Sequence, residues 1–543
     1  MSIDLGPIQF DDHVVLLQLQ RDLKDDWFPD PRRYEDMFKN GLIQQHVLEN
    51  FKQNHGTYRP AKRTVLNVPK TNFTLRYGME TSVSDRALYH ALTSYLVPFY
   101  DPLIPWNVFN HRHNANEGSK KYLFRRAVPA WQDFVGVVRV AIKTSPVLLS
   151  TDLTNYFENI DIGKLKKAMM DLLPEIKATA VQKGHIRAHL DTLFECLREW
   201  CFTETSGLPQ NRDASSFLAN IYMLTIDRTM LGCDYQYFRY MDDIKIACAD
   251  IYQARLALKQ LGLALRELGL SVNSGKTQIC MAGEKEAIER CLETGGGELR
   301  QIDAIWRTRS IKPISRSFPT LQALTLRLLR EGQVSSREFR YCVGKLETLA
   351  TCQEFSVPNE YFELITPLAI DALTAFPAAT DQLAQYLRAV PTTAHQLDLV
   401  ARLLQDKQKN FYTWQNYRLW TLLVQKQYRN DALLAHALDI VSTTDDNATR
   451  CGATLYVGAL GEKKDRIVVA KNFASLISFL GQRSALLAVQ ELHYNPYLRD
   501  LVQPTLRKDL YKVYLELKRE GIYVAPPELK SITSIIDNER DYD

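Results

Sequence analysis

The sequence predicts an α/β region over about the first 315 residues, followed by an all-α region over residues 316–543. Between residues 146 and 280, short apolar runs alternate with amphipathic helical segments, as the strands and helices of an α/β fold do. Beyond residue 316, glycine becomes less frequent and helical patterns follow one another with short turns between them. This succession favours a HEAT-like helical domain, although no repeat signature is visible, and an irregular helical domain is the alternative.

The composition is that of a folded protein with about two to four domains. Of the 543 residues, 45% are hydrophobic and 24% are charged, and the net charge of +4 predicts no particular partner. The nine cysteines have no zinc-binding spacing, which indicates a reduced intracellular protein. Neither a secretory signal nor an apolar stretch long enough to cross a membrane is visible. We therefore expect a cytoplasmic protein without a membrane partner.

Several segments have clear patterns of secondary structure. Strands are predicted at residues 65–70 and 147–153, and a hairpin with an acidic centre is predicted at residues 237–248. Helices are predicted at residues 85–100, 185–202 and 252–270, the last of which ends at Gly269. Residues 281–315, with three glycines at 295–297, are typical of a flexible connector.

Residues 104–145 combine basic and aromatic side chains. Seven lysines or arginines stand against two acids, and the interleaved aromatic residues are Trp106, Phe109, Tyr122, Phe124 and Trp131. Such a mixture suits a nucleic-acid strand, through phosphate contacts and base stacking. When the segment is taken alone, a solvated basic face over ordinary core aromatics is the favoured alternative.

The predicted hairpin carries two adjacent acids, Asp242 and Asp243, between apolar strand arms. Neighbouring carboxylates in a half-buried hairpin repel each other and lose hydration, so a bound cation is the natural compensation. Magnesium favours carboxylate and phosphate oxygens together. A surface turn with solvated acids is the alternative for any isolated pair of aspartates.

A site for two metal ions requires a third carboxylate from elsewhere in the chain. Asp152 stands at the end of the apolar strand VLLST (147–151), where its side chain would reach such a site. Glu158 and Asp161 follow in a turn or a helix, and they are better explained as solvated or capping residues.

Four segments in chain order resemble the palm motifs A, B, C and D of reverse transcriptases. They are DLTNYF (152–157), GLPQNRDASSFLANIYM (207–223), YMDD (240–243) and LGLSVNSGKTQ (268–278). Upstream, VPKTNFTLR (68–76) and DRALYHAL (85–92) resemble the fingers of group II intron and retron enzymes. The resemblance covers about residues 60–280 and implies the right-hand palm-and-fingers polymerase fold.

With this resemblance, the chain divides into four parts. They are an N-terminal helical arm at residues 1–58, fingers at 59–145, a palm with motifs A to D and the connector at 146–315, and the helical C-terminal domain at 316–543.

The resemblance implies a DNA polymerase that adds deoxynucleotides with two Mg²⁺ ions held by Asp152, Asp242 and Asp243. Lys276 of the fourth motif matches a lysine that is a candidate proton donor to pyrophosphate. An exposed lysine at the end of a helix is the alternative for this residue.

The resemblance also implies a nucleotide pocket. Lys70 and Arg76 would grip the triphosphate, and Gln210 would line the pocket. Phe157 matches a steric gate, whose ring crowds a 2′-hydroxyl and so favours deoxynucleotides. The alternatives are solvated strand residues for the two cations and a core aromatic for Phe157. Asn211 departs from the family pattern, which usually has a glycine that permits positive φ at this position, and this puts ordinary template handling in doubt.

A polymerase followed by a long helical domain resembles the abortive-infection reverse transcriptases, which defend bacteria against phage. That resemblance implies untemplated DNA synthesis, a DNA product primed from the protein and attached to it, and homo-oligomers. Tyr34 and Tyr58 are the candidate priming residues, because a mobile N-terminal arm would carry them to the palm. Tyr240 is a poor candidate, because it belongs to the catalytic hairpin itself.

Two other functions remain open. A templated reverse transcriptase of the retron or intron kind would use a cognate RNA, and a structured RNA gene beside the coding sequence would favour it. A nucleic-acid-binding scaffold with an inert palm would have no need of three costly carboxylates. A viral-type RNA polymerase is disfavoured by YMDD and by Phe157.

Overall fold

The computed structural model of the chain describes residues 2–4, 9–24, 26–115, 122–233, 235–292, 297–308, 310–492, 495–516, 521–525 and 531. No helix within these ranges is long and apolar enough to cross a membrane. The nine cysteines are free thiols, and all but Cys233 are buried.

The N-terminal segment is folded against the rest of the chain. It contains strands β1 (Ser2–Asp4) and β2 (Gln9–Asp11), followed by helices α1 (Asp12–Lys24), α2 (Glu35–Phe38) and α3 (Leu42–Gln53). Tyr34 and Tyr58 are only 1% and 2% exposed. The segment therefore differs from the helical arm that the sequence predicts, because it begins with a hairpin and because Tyr34 and Tyr58 are buried in the core.

Buried polar contacts tie this segment to the helical half of the chain. Arg483 donates hydrogen bonds to the carboxylates of Asp30 and Asp36 at 2.6 to 3.3 Å. The indole N–H of Trp414 donates to the carbonyl of Trp27 at 2.9 Å. Because these groups lie in the interior, the N-terminal segment and the helices share one core.

The fingers region consists of a hairpin and two long helices. These are β3 (Thr64–Pro69), β4 (Leu75–Glu80), α4 (Val83–Tyr100) and α5 (Ala127–Thr144). The predicted strand at residues 65–70 and the predicted helix at residues 85–100 are confirmed. Helix α4 begins after Ser82, whose hydroxyl oxygen accepts the backbone N–H of Asp85 in an N-cap.

Aromatic side chains of the basic segment 104–145 contribute mainly to the core. Phe124 is 2% exposed, and Trp131 is half-buried with the guanidinium of Arg337 at 4.6 Å from its ring. Trp106 is the exception, at 68% exposed. Lys120 and Lys121 lie outside the described residues. These positions favour the simpler interpretation of a basic surface over core aromatics.

The palm is a four-stranded antiparallel sheet with the strand order β6–β7–β5–β8. Its strands are β5 (Val147–Asp152), β6 (Gln236–Tyr240), β7 (Asp243–Cys248) and β8 (Gln278–Met281). Its helices are α6 (Tyr156–Asn159), α7 (Ile162–Asp171), α8 (Ala180–Trp200), α9 (Asp213–Gly232) and α10 (Ile251–Leu268). The predicted hairpin, strand and helices are confirmed, and Gly269 ends α10 with a φ of +82°, which glycine adopts without strain.

Both faces of this sheet are covered, which explains why its strands are almost continuously apolar. On one face, Leu149 and Ile246 belong to the core that α9 and α10 share. On the other face, Leu148, Phe238 and Ala247 pack into a smaller core with α5. Polar side chains stand at the C-terminal end of β5 and at the N-terminal end of β7, where the apolar core ends.

The predicted connector at residues 281–315 is largely helical. It contains α11 (Lys285–Cys291), α12 (Gly297–Arg307) and α13 (Ile311–Arg316). Gly295 and Gly296 lie outside the described residues, and Gly297 begins α12. The segment differs from a flexible connector because Ile302, Trp306 and Ile314 bury their side chains in the core of the helical half.

The helical half of the chain is confirmed, although HEAT-like repetition stays a prediction. Its helices are α14 (Phe318–Arg330), α15 (Arg337–Thr351), α16 (Glu360–Glu363), α17 (Thr366–Ala375), α18 (Thr380–Ala389), α19 (Ala394–Gln405), α20 (Thr413–Gln425), α21 (Asp431–Thr443), α22 (Ala448–Leu460), α23 (Lys463–Lys471), α24 (Phe479–Val489), α25 (Pro496–Val502) and α26 (Tyr511–Glu516). Helices α20, α22 and α24 pack in succession, and a Cβ at Gly458 of α22 would lie 2.4 Å from Ala488 of α24. Strand β3 packs on α20, so the fingers rest directly on the helical half.

Candidate active site

Two of the three predicted aspartates are cross-strand neighbours. Asp152 is the last residue of β5 and Asp243 is the first residue of β7, and the two residues pair in register. Directly opposed residues of an antiparallel pair project from the same face, with Cβ atoms about 4.5–5.5 Å apart. Asp242 precedes Asp243 in the turn between β6 and β7. The structure therefore brings all three aspartates together at one end of the central strands β5 and β7.

The turn that carries Asp242 has an unusual backbone. Met241 has a φ of +58°, a value that normally selects glycine at the first central position of a type II′ turn. A methionine in this conformation stores strain and persists only where the surroundings hold it. The guanidinium of Arg239 donates to the Met241 carbonyl at 2.9 Å and so supports the turn from below.

Arg239 is a residue of this site that the sequence analysis did not select. It is fully buried on β6 and donates two hydrogen bonds to Asp227 of α9, at 2.6 and 2.7 Å. A third bond reaches the side-chain oxygen of Asn220 at 2.8 Å. The signal for it was an arginine inside the apolar strand QYFRY, where a charge must have a buried partner.

The three carboxylates are crowded. Burial, and after it the negative charge of Asp152, raise the pKa of Asp242 to about 7, and Asp243 contributes in the same direction. A carboxyl group with this pKa is partly protonated at neutral pH because burial and neighbouring negative charges disfavour its ionised form. A pKa raised by burial and by like charges in a site of this kind is typical of a functional cluster.

Lys276 lies beside Asp152, and its role as a proton donor stays a prediction. Its ammonium is 2.5 Å from Asp152 Oδ2, and its side chain is 67% exposed. Backbone pairing holds the preceding loop in place, because the N–H of Asn273 donates to the Asp152 carbonyl at 2.7 Å. The ammonium can therefore move between the carboxylate and solvent while its loop stays attached to β5.

A family model described as reverse transcriptase (RNA-dependent DNA polymerase) matches residues 68–341, just over half of the 543-residue chain. The chain belongs to the reverse transcriptase family. It is therefore a nucleotidyltransferase with nucleotide substrates and a nucleic acid as template or product. No curated protein matches the chain.

Reverse transcriptases generally use divalent metal ions such as Mg²⁺. Within the described residues, no group of three or more histidine, cysteine, aspartate and glutamate side chains is arranged as a ready metal cluster. Lysine ammonium groups lie on Asp152 and Asp243 instead. The donor set nevertheless fits the ion, because it is purely carboxylate and because burial and neighbouring negative charges raise the pKa of Asp242.

The backbone at Asn211, in the segment that resembles motif B, is left-handed. Asn211 has a φ of +58°, so the position usually held by glycine keeps its left-handed conformation with an asparagine. Gln210 donates to Glu158 at 3.3 Å and thereby connects motif B to the residue that follows motif A. Asp161 caps α7 by accepting the N–H of Lys164 at 2.7 Å, as the sequence indicates.

The two predicted triphosphate-binding cations lie on the fingers hairpin that faces the palm. The Lys70 ammonium donates to the side-chain oxygen of Asn155 at 2.9 Å, three residues beyond Asp152. Arg76 lies over the Trp27 ring at 5.5 Å and faces the charges of Glu158 and Asp242. Their roles in binding a nucleotide stay predictions, but both cations are near motif A or motif C.

The structure does not bring Tyr34 or Tyr58 to the three aspartates. Tyr34 packs against Phe479, with a ring separation of 6.2 Å, and the Tyr58 hydroxyl donates to Asp85 at 2.8 Å. Burial raises the pKa of both phenols well above the usual value. Because both side chains are buried, delivery of either phenol to the aspartates would require local opening, and a priming role for them stays a prediction.

Phe157 is half-buried at the base of motif A, with its ring 5.4 Å from that of Tyr156. We expect Phe157→Ala to lower discrimination against ribonucleotides by about tenfold or more, because removing the ring opens space for a 2′-hydroxyl. Single-nucleotide incorporation with matched ribo- and deoxynucleotides measures the ratio. Phe99→Ala is the control, since Phe99 is a half-buried aromatic of the same core on α4. An unchanged ratio in Phe157→Ala would show that the ring is only part of the core.

Proposed function

We propose that the chain synthesises DNA at Asp152, Asp242 and Asp243, which would hold two Mg²⁺ ions. This proposal rests on one observation: three carboxylates meet at the end of the central strands β5 and β7, where the pKa of Asp242 is raised to about 7. Bound Mg²⁺ would supply activation of a primer hydroxyl and neutralisation of charge on the triphosphate and the leaving pyrophosphate.

The chain's own residues have the remaining roles. Lys70 and Arg76 orient the triphosphate by charge, and Gln210 lines the nucleotide pocket. Lys276 is exposed enough to leave Asp152 and donate a proton to the departing pyrophosphate. Phe157 excludes the 2′-hydroxyl, which makes deoxynucleotides the substrates.

We propose further that synthesis needs no template. A template base must lie beside the incoming nucleotide, next to motif B, and helix α1 covers that part of the chain. Gln18 of α1 donates to Asp213, while Arg212 lies 3.5 Å from Asp22. An open pocket of about 220 Å³ remains beside motif B, lined by Arg21 and Asp22 of α1 and by Asn211. These contacts support untemplated addition.

The proposed biological role is abortive-infection defence of a bacterium against phage, with a homo-oligomeric enzyme and DNA attached to the protein. This part rests on the resemblance of a polymerase followed by a long helical domain. The burial of Tyr34 and Tyr58 adds a condition, because either phenol needs local opening before it can prime.

The proposal predicts incorporation of labelled deoxynucleotides by the purified chain with Mg²⁺ and without added nucleic acid. Label should remain on the protein band after boiling in SDS, resist RNase and disappear with DNase. Tyr34→Phe and Tyr58→Phe test the two candidate primers, and Tyr252→Phe is the control, since Tyr252 is 75% exposed on α10. A strict need for an added template and primer would contradict untemplated, protein-primed synthesis and leave a templated reverse transcriptase.

A further inference from the structure

The catalytic hairpin contains a buried lysine that the proposed chemistry does not use. Lys245 lies on β7 two residues after Asp243, and the residue is only 3% exposed. Its ammonium donates to Asp243 Oδ1 at 2.5 Å and to the Ser150 hydroxyl oxygen at 2.9 Å. A charge at an otherwise apolar position of a central strand requires a specific reason, because isolated buried ammonium groups are costly.

The sheet register explains how Lys245 reaches the site. Ser150 pairs with Lys245, and Asp152 pairs with Asp243, on the adjacent strands β5 and β7. Residues two apart on a strand share a face, so these four side chains form one block at the end of the sheet. Lys245 is the inner cation of this block and Asp243 is its outer anion.

The side chains that lie inward of the Lys245 ammonium are apolar. The next residues inward on the same face are Leu148 and Ala247, and Phe238 lies opposite Lys245 on β6. These three side chains belong to the small apolar core against α5. If the ammonium left Asp243, it would remain in this apolar core with Ser150 as its nearest polar partner, which is strongly unfavourable.

Lys276 on the other side of the site differs in this respect. Its side chain is 67% exposed against 4% for Lys245, although both ammonium groups lie 2.5 Å from a carboxylate. An arriving cation can therefore displace Lys276 into water. Displacing Lys245 would bury an uncompensated charge.

We propose that Lys245 is a positioning residue of the metal site, which stays on Asp243 when a divalent cation binds. It orients that carboxylate and cancels one of the three negative charges that the aspartates carry when ionised. Metal ions are then held more weakly than by three uncompensated carboxylates, since the attraction scales with the net charge of the site. Lys245 therefore lowers the affinity of the site for metal ions, and in return it holds the Asp243 carboxylate in one orientation for the reaction.

The inference rests on the proposed metal site, and a binding measurement without nucleotide tests it. Mn²⁺ alone is titrated into the full chain, and the free ion is followed by its electron paramagnetic resonance signal. Lys245→Met should bind Mn²⁺ at least about tenfold more tightly than wild type, because the substitution removes a positive charge that lies beside the site in a medium of low dielectric constant. Its turnover of deoxynucleotides should nevertheless fall. A purely structural role for Lys245 would instead weaken metal binding and activity together.

Three further variants make the result decisive. Lys245→Gln keeps a hydrogen-bond donor without the charge. It should therefore bind Mn²⁺ as tightly as Lys245→Met and retain more activity than that variant. It replaces Lys245→Met if the methionine variant does not fold. Lys276→Met should tighten binding by less than about threefold, since its charge is screened by solvent. Lys259→Met, at an exposed position of α10, should change nothing.

Unchanged or weaker Mn²⁺ binding in both Lys245 variants, at wild-type melting temperature, would overturn the role of Lys245. The metal site itself is tested separately by Asp242→Asn. If Mn²⁺ does not bind to the wild-type protein, or binds equally well to Asp242→Asn, the proposed metal site is wrong. The inference about Lys245 is then wrong as well.

Discussion

Asp242→Asn should reduce nucleotide incorporation by on the order of 10³-fold or more, while the metal-free protein becomes as stable as wild type or more stable. Activity falls because charge neutralisation in the transition state depends on the ions that this carboxylate would hold. Stability does not fall, because the ionised Asp242 side chain is repelled by Asp152 and poorly hydrated in its buried position. Incorporation assays and thermal melts of the same preparations measure both effects.

The pH dependence of stability gives a second reading of the same variant. The pKa of Asp242 is raised from 3.8 to about 7 in the folded chain, so the folded state binds the proton more tightly than the unfolded state. Stability of the metal-free wild-type protein should therefore decrease as pH rises from about 4 to about 7, and this decrease should be smaller in Asp242→Asn. Saturating Mg²⁺ should reduce the difference.

Asp161→Asn is the matched control, because Asp161 is an aspartate of the palm that only caps α7 and asparagine caps equally well. It should retain activity and the wild-type pH profile. Near-normal incorporation by Asp242→Asn, or by the Asp242→Asn, Asp243→Asn double variant, would remove the basis for the metal site.

Arg239→Met should have the largest effect on stability, with a loss of about 3–5 kcal/mol in the free energy of unfolding. The substitution leaves Asp227, which is fully buried, without its cation, and it removes the donor to the Met241 carbonyl. The strained turn would then relax, and incorporation would fall even under conditions where the variant is folded. Urea denaturation followed by circular dichroism measures the free energy, and single-turnover kinetics measures the loss in the folded fraction.

Arg228→Met is the control that measures how much stability is lost when an exposed ion pair, and not a buried one, is removed. Arg228 lies on α9, as does Asp227, but its pair with Glu175 is 42% and 47% exposed. The cost should be at most about 1 kcal/mol. Equal losses in the two variants would mean that Arg239 does not act through its buried network.

Palm elements were predictable because each has a local cause in the sequence. The apolar run before Asp152 is a strand covered on both faces, Gly269 ends α10, and Asp161 caps α7. The place of Asp242 and Asp243 in the turn of an apolar hairpin was predictable from the residues around them, and their role in binding a cation stays a prediction.

Other features depend on distant parts of the chain. Burial of Tyr34 is caused by Phe479 and Arg483, and no local pattern indicates such partners. The helices in the predicted connector likewise form because Trp306 and Ile314 find a core contributed by later residues. Arg239 and Lys245 are intermediate cases, because a charge within an apolar strand is visible in the sequence while its partner is not.

The bond between Arg483 and Asp30 spans 453 positions of the chain, and this separation has a consequence for biosynthesis. At about 5–20 residues per second, a ribosome needs roughly 20 to 90 s to make the second partner after the first. During that interval Phe28 lacks its ring contact with Tyr417, and Tyr34 lacks its ring contact with Phe479. Trp27 also supports Arg76 of the fingers. If Arg76 binds the triphosphate as proposed, that part of the site would reach its final packing only after the helical half has been translated.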